Sequence, residues 1–339
     1  MLDDVGIVII NWNGAEDTIE CLKSIKLKES CSYKIFLLDN GSKKESVNEI
    51  EKWIMNCEDY QSLILTKEEF ELRTDFSKYD LIFVKHPQNL GFSMGNNFIL
   101  KKIYLHFRQC LLLNNDTVVT KNAITNMVNY LTNHNDVGVV SCNIRHYGDH
   151  LKLWNAGGKF TWYGDRKYIS QKRIDVAIAE GDFVIETPFV TGCVMLIKQA
   201  IFNEVGFLTE KFFFGEEDFN YCKLLKEQGV KIVTLLDSTV YHKISSSIGK
   251  ATAGKEMTMR KNILHFTNRV INQKEFYSKS YWFIWKYLYI QMVMLKFFKQ
   301  TKDYQLTKFV GKNIKSYSLL HNGVDYELFK EINNLKFEK

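Results

Sequence analysis

Between Val5 and about Val140 the sequence alternates short apolar runs with longer stretches of helical period, and this rhythm leaves few architectures open. The runs VGIVII (5–10), KIFLLD (34–39), LIFVK (81–85), CLLLN (110–114) and VGVVS (137–141) are strand-length and almost continuously apolar. Between them, residues 15–27, 43–54, 92–107 and 120–133 predict helices. Such alternation builds βαβ units around a largely parallel sheet, an α/β fold. Residues 55–80 are charged and weakly patterned, and read as a surface insertion without chemistry. After Ser141 the texture changes. WNAGGKF (154–160), FVIETPFVTGCVMLI (183–197) and KIVTLLDSTVYH (231–242) predict strands of a mixed sheet, with a helix entered through residues 212–229 and stopped by Gly229.

With 339 residues, 45% of them hydrophobic, the chain can bury a large core and is not disordered. Its net charge of +6 is modest and scattered, so nothing calls for a nucleic-acid partner. Seven cysteines without CxxC spacing read as free thiols of a reducing compartment. The start MLDDVGIVII carries acids where a signal peptide would carry bases, which predicts a cytoplasmic amino-terminal part.

In an open α/β sheet, ligands gather beyond the carboxyl ends of the strands. The polar residues there are Asn11 and Asn13, Asp39 and Asn40, and Asn114, Asn115 and Asp116. Asp116 has the oxygen chemistry of a divalent-cation ligand, although Asn-Asn-Asp also serves well as a simple turn. Gly215-Glu216-Glu217-Asp218 opens a helix behind three phenylalanines. Its acids suit capping against the helix dipole, but apolar surroundings would also raise a carboxyl pKa and favour a general base. His242 ends an apolar strand, as a metal ligand or as a structural histidine, before a Ser/Gly/Lys stretch (243–250) with the composition of a closing loop.

Taken in order, IVIINWNGAEDTIECLKSI, LLDNGS, NLGFSMGNN, LLLNNDTVV, WNAGGKF, the segment from Val190 to Gly229 and YHKISSSIG resemble the family 2 glycosyltransferases, in particular their rhamnosyltransferase-like branch, over roughly residues 5–270. The resemblance implies a GT-A fold, with a nucleotide-sugar half to about residue 140 and an acceptor half to about residue 254. It implies a metal, Mg²⁺ or Mn²⁺, held by Asp116 and His242, with Asn114 where the family's Asp-x-Asp motif begins on an acid. Asp218, beside Glu217, falls on the family's catalytic base, and Asn220 stands where a further acid is usual. Asp39 and Trp12 fall on nucleobase contacts. Asn11, Asn13, Asn89, Gly91, Asn96, Asn114 and Asn115 fall along the nucleotide. The implied reaction is inverting transfer from a nucleotide-diphosphate sugar, dTDP-rhamnose or a UDP-hexose, to a hydroxyl of a growing, lipid-linked glycan. The alternatives are a nucleotidyltransferase of related fold and an inactive sugar-binding scaffold.

Residues 255–339 form a basic, aromatic tail, predicted to be helical. Its segment YWFIWKYLYIQMVMLKFF (281–298) is apolar nearly all round, but Lys286 and Lys296 disfavour a membrane span. The segment suits either an anionic membrane surface, reached from a cytoplasmic location, or packing on the catalytic domain or on a second copy in a homodimer.

Overall fold

The protein is described by a computed structural model over residues 3–243 and 254–337. β1 (Asp3–Asn11), β2 (Tyr33–Asn40), β3 (Ser62–Thr66), β4 (Leu81–His86) and β5 (Phe107–Asn114) lie in the order β5-β1-β2-β4-β3, every pairing parallel. α1 (Ala15–Lys28), α2 (Lys44–Met55), α3 (Lys67–Leu72) and α4 (Gly91–Ile103) lie between and beside them in sequence. Strand side chains alternate between two cores. Ile7 and Ile9 share one with Leu22 and Ile25 of α1, and Val8 shares the other with Ile99 and Leu100 of α4.

The sheet then becomes mixed. β6 (Thr117–Val119), α5 (Ala123–Asn133), β7 (Val137–His146), β8 (Asp149–Asn155), β9 (Gly158–Phe160), β10 (Arg166–Tyr168), α6 (Gln171–Ala179), β11 (Val184–Glu186), β12 (Val194–Lys198), α7 (Gln199–Glu204), α8 (Glu217–Glu227) and β13 (Lys231–His242) follow in sequence. β12 runs antiparallel between β5 and β7, and β13 lies parallel to β7 with β11 at its outer edge. β6 pairs with the last residues of β13, β8 pairs with β7, and β9 with β10 makes a separate hairpin. Four helices, α9 (Lys255–Phe276), α10 (Lys279–Thr301), α11 (Tyr304–Leu320) and α12 (Tyr326–Asn334), close the described chain around an apolar core of their own that takes in Phe212.

Four local expectations are corrected. Residues 55–80 are not a featureless insertion: they hold β3 and α3, started by a capping box between Thr66 and Glu69. Phe70 and Phe76 are buried there against Phe36. The helix expected to reach residue 107 ends at Ile103, and one 3-10 turn leads into β5. Residues 183–197 are two strands, interrupted around Pro188, which has no N–H to give a ladder. Finally, α8 starts only at Glu217, because Gly215 and Glu216 both take left-handed backbone conformations, with φ of 89° and 76°. Residues 244–250 of the expected closing loop lie outside the described residues.

Candidate active site

The nucleotide-side residues are drawn to the carboxyl edge of the parallel strands by register alone: Asn11 stands opposite Asp39, and Ile10 opposite Asn114. Asn11 is fully buried. Its amide donates to Asp39 Oδ1 at 2.9 Å, and its carbonyl oxygen accepts from Gly14 N and Thr18 Oγ1. Ser42 N donates to Asp39 Oδ2 at 3.1 Å, so the carboxylate is fixed in orientation, with lone-pair directions still to spare. Asn13, at φ 57°, accepts from Lys43 N, and Trp12 stays about half exposed at the rim.

Other expected nucleotide contacts have internal work. The side-chain amide of Asn115 donates to Thr18 Oγ1 at 2.9 Å. Asn89 accepts from Gly91 N and from the Asn40 amide, and Asn96, buried, donates to the Phe92 carbonyl one turn earlier. Gly91 has φ 78°, and the Phe213 carbonyl lies where a side chain would begin, so the glycine lets the acidic segment approach α4. The structure brings Asn11, Asp39, Asn89 and Gly91 to one edge and turns Asn96 and Asn115 inward.

Asp116 follows β5 in the turn before β6, and His242 is the last residue of β13. The pairing of β6 with β13 sets His242 opposite Thr117, with Lys243 N donating to the Asp116 carbonyl at 2.9 Å. His242 Nε2 therefore lies 3.0 Å from Asp116 Oδ1, both side chains nearly buried, with the Trp154 ring packed on the imidazole. His242 Nδ1 has no hydrogen-bond partner among the described residues. One carboxylate oxygen and one imidazole nitrogen make a donor set that fits a divalent ion such as Mn²⁺ when ligand oxygens complete the shell, and fits Mg²⁺ less well, since that ion prefers oxygen ligands throughout. Among the described residues no group of three His, Cys, Asp or Glu could hold a metal without such help. Lys243 is engaged by Asp17 and Glu20, at 2.7 and 2.5 Å.

The three acids of the second cluster have three different environments. Glu216 is clasped by Arg269 of α9 through two contacts of 2.7 Å. Burial opposes its ionisation, but the Arg269 charge prevails and holds the carboxyl down at about 2. Glu217 points into the interior, where its Oε2 has no partner among the described residues. Burial, with the Asp218 charge beside it, pushes Glu217 up to about 8. Asp218 keeps some exposure and receives hydrogen bonds from Phe219 N at 2.7 Å and Gly192 N at 3.4 Å. Burial also raises its pKa, and Arg166, 3.6 Å away, opposes the rise.

The strand-entry segment Thr191–Cys193 joins the two centres. Gly192 N reaches Asp218, and the Cys193 carbonyl accepts from Asn114 N, two residues before Asp116. Burial raises the Cys193 thiol pKa, and the charges of both Asp116 and Asp218 add to it, as expected of a residue flanked by the two. Sequence reasoning missed Arg166, Arg269 and Asp165. Arg269 is wholly buried, also pairs with Asp165, and lies 4.4 Å from the Phe219 ring centre. Nothing in the local sequence marks it, since arginines on helices usually face water. Asn220 bonds Asn272 and Glu275 across to the same helix.

The Glu217 proton has a stability consequence. A carboxyl raised from its ordinary 4.5 to about 8 contributes stability below pH 4.5 that is lost as pH rises through 8. Glu217→Gln cannot ionise. Between pH 5 and 8.5 the difference in melting free energy should move toward the variant by on the order of a few kcal/mol, read from Tm across pH. Parallel pH profiles of the two proteins would show that Glu217 is already ionised at neutral pH.

The fold is similar to a solved structure of GalNAc-T7 with UDP, GalNAc and Mn²⁺, with a TM-score of 0.62 and 15% identity, over 97% of this chain and 56% of that one. It is also similar to the mannosyltransferase PcManGT from Pyrobaculum calidifontis in complex with GDP-Man and Mn²⁺, with a TM-score of 0.53 and 13% identity, over 94% of this chain and 74% of that one. The α/β fold with a mixed central sheet and C-terminal helices is thus of the GT-A kind. In sequence, the chain is 22% identical over 236 residues to the low-salt glycan biosynthesis hexosyltransferase Agl10 of Haloferax volcanii, which is 68% of this chain and 64% of that protein, so less than two thirds of the relative's length is spanned. The sequence profile of glycosyl transferase family 2 matches residues 6–206, more than half of the chain, and the protein belongs to that family.

Proposed function

We propose that the chain is an inverting glycosyltransferase that moves a sugar from a nucleotide-diphosphate donor to a hydroxyl of a growing glycan. The observation that carries this reading is the Thr191–Cys193 bridge, which holds an acid–imidazole pair and a raised carboxyl on either side of one strand entry. Asp39 takes the nucleobase with Trp12 beside it, Asn11 orients the Asp39 carboxylate from within, and the Asn114–Asp116 turn faces the phosphates. A divalent ion, Mg²⁺ or Mn²⁺, held by Asp116, His242 and donor oxygens would stabilise the charge of the departing diphosphate. Asp218 takes the proton of the acceptor hydroxyl as its oxygen bonds the anomeric carbon and the bond to the diphosphate breaks. Attack from the face opposite the leaving group inverts that carbon.

The donor is dTDP-rhamnose or a UDP-hexose, and the acceptor is a lipid-linked polysaccharide. The GalNAc-T7 and PcManGT structures contain UDP and GDP-Man, and the Haloferax relative is named for glycan biosynthesis, which supports a nucleotide-diphosphate donor and a glycan acceptor but not the particular sugar or the lipid carrier. Residues 1–254 form the catalytic unit and residues 255–339 its helical appendage. The test is release of nucleoside diphosphate from a panel of nucleotide sugars, with and without glycan acceptors. No turnover and no binding of any nucleotide sugar would sink the reading.

Metal dependence is tested separately. EDTA and Asp116→Ala should each lower turnover by about 100-fold or more and weaken donor binding by calorimetry, with Mn²⁺ restoring only the chelated wild type. Full activity and full donor affinity in EDTA would mean that protein cations alone neutralise the diphosphate.

A further inference from the structure

We infer that the outward face of α10 docks on an anionic lipid bilayer. The helix has two unlike sides. Trp282, Trp285, Tyr289 and Val293 are buried in the C-terminal core, with Trp282 donating to the Val270 carbonyl and Trp285 to the Tyr163 carbonyl. Phe283, Ile284, Tyr287, Leu288 and Leu295 are each 60–63% exposed. Spaced largely at three, four and seven residues, they form one apolar stripe on a helix whose core-facing side is already covered. No helix among the described residues is long and apolar enough to cross a membrane, so the stripe belongs at an interface.

Charge selects the occupant. Residues 279–320 carry eight lysines and a single acid, Asp303, whereas the other 37 basic and 38 acidic residues of the chain's 45 and 39 nearly cancel. The protein's net positive charge therefore resides in α10, α11 and their connection. Lys296, Lys299, Lys302 and Lys308 are exposed there. A second copy meeting this face across a two-fold axis would set like charge against like, whereas anionic headgroups neutralise it while acyl chains cover the stripe. Through Trp285 and the Tyr163 carbonyl, α10 is fastened to the β9–β10 hairpin that carries Arg166, so docking would fix the active site's position over the bilayer.

This inference does not depend on the sugar-transfer reading. The full-length protein should float with phosphatidylcholine vesicles containing phosphatidylglycerol at low salt, far less at high salt, and not with phosphatidylcholine alone. Ile284→Glu/Leu288→Glu/Leu295→Glu changes only exposed side chains and should keep its circular dichroism and Tm while partitioning about tenfold or more weakly. Lys299→Gln/Lys302→Gln/Lys308→Gln should lose the preference for anionic vesicles. Failure of the wild type to float at low salt, or equal flotation of all three proteins, overturns the proposal. Concentration-dependent dimerisation abolished by the glutamate variant, without vesicle binding, would make a second copy the occupant and overturn it as well.

Discussion

Asp218→Asn is expected to lower kcat by about 1,000-fold or more while donor affinity stays within about threefold of wild type. The exchange keeps the side-chain shape, and the amide oxygen can still accept the Phe219 N–H, but the group can no longer take the hydroxyl proton. The loss should appear in kcat rather than in KM, because the proton moves only as the new bond forms. Wild-type kcat/KM should also fall on the acid side at a pH above the ordinary aspartate range, since burial raises the Asp218 pKa. Steady-state transfer kinetics across pH, with calorimetric donor binding, measure both. Substantial turnover by Asp218→Asn would assign the base elsewhere, with Glu217 next in line, since Arg269 occupies both oxygens of Glu216.

The second large effect is on stability. Arg269→Met should destabilise the protein by about 3–5 kcal/mol, because it leaves Glu216 buried with its main counter-charge removed. Glu216 also has a left-handed backbone conformation unusual for a side chain with a Cβ, which the Arg269 clasp helps to maintain. Replacing both partners, Arg269→Met with Glu216→Gln, should recover much of the loss, since a missing pair costs less than half of one. The wild type carries the matching pH signature. A carboxyl held at about 2 instead of 4.5 contributes stability that is full above pH 4.5 and lost as pH falls through 2. Denaturant unfolding of the single and double variants between pH 3 and 7 tests this. An Arg269→Met protein as stable as wild type would mean that the Asn272 amide, 3.3 Å from Glu216 Oε2, and Arg166, 3.9 Å from its Oε1, suffice to hold Glu216.

How far the sequence could be read depends on the range of the forces involved. Alternating apolar runs and helical periods are local, so the parallel strands β1, β2, β4 and β5 and their helices were legible within a few residues. β3 and α3 were not, because an edge strand needs fewer apolar residues and Phe70 and Phe76 find Phe36 only in three dimensions. Chain direction alone sets Asn11, Asp39 and Asn114 at the carboxyl ends of their strands. The individual motifs, by contrast, stayed ambiguous, since a turn, a cap and a strand-end histidine have ordinary structural uses. Tertiary structure decided which of those uses applied. The β6–β13 pairing brought His242 to 3.0 Å from Asp116. Packing of α9 supplied Arg269, which holds the Glu216 carboxyl down, while burial raises those of Glu217 and Asp218 beside it. Residue type and spacing fix what a side chain can do and the local element that carries it; burial and the distance to charges far along the chain fix what it does, and those exist only once the chain has packed.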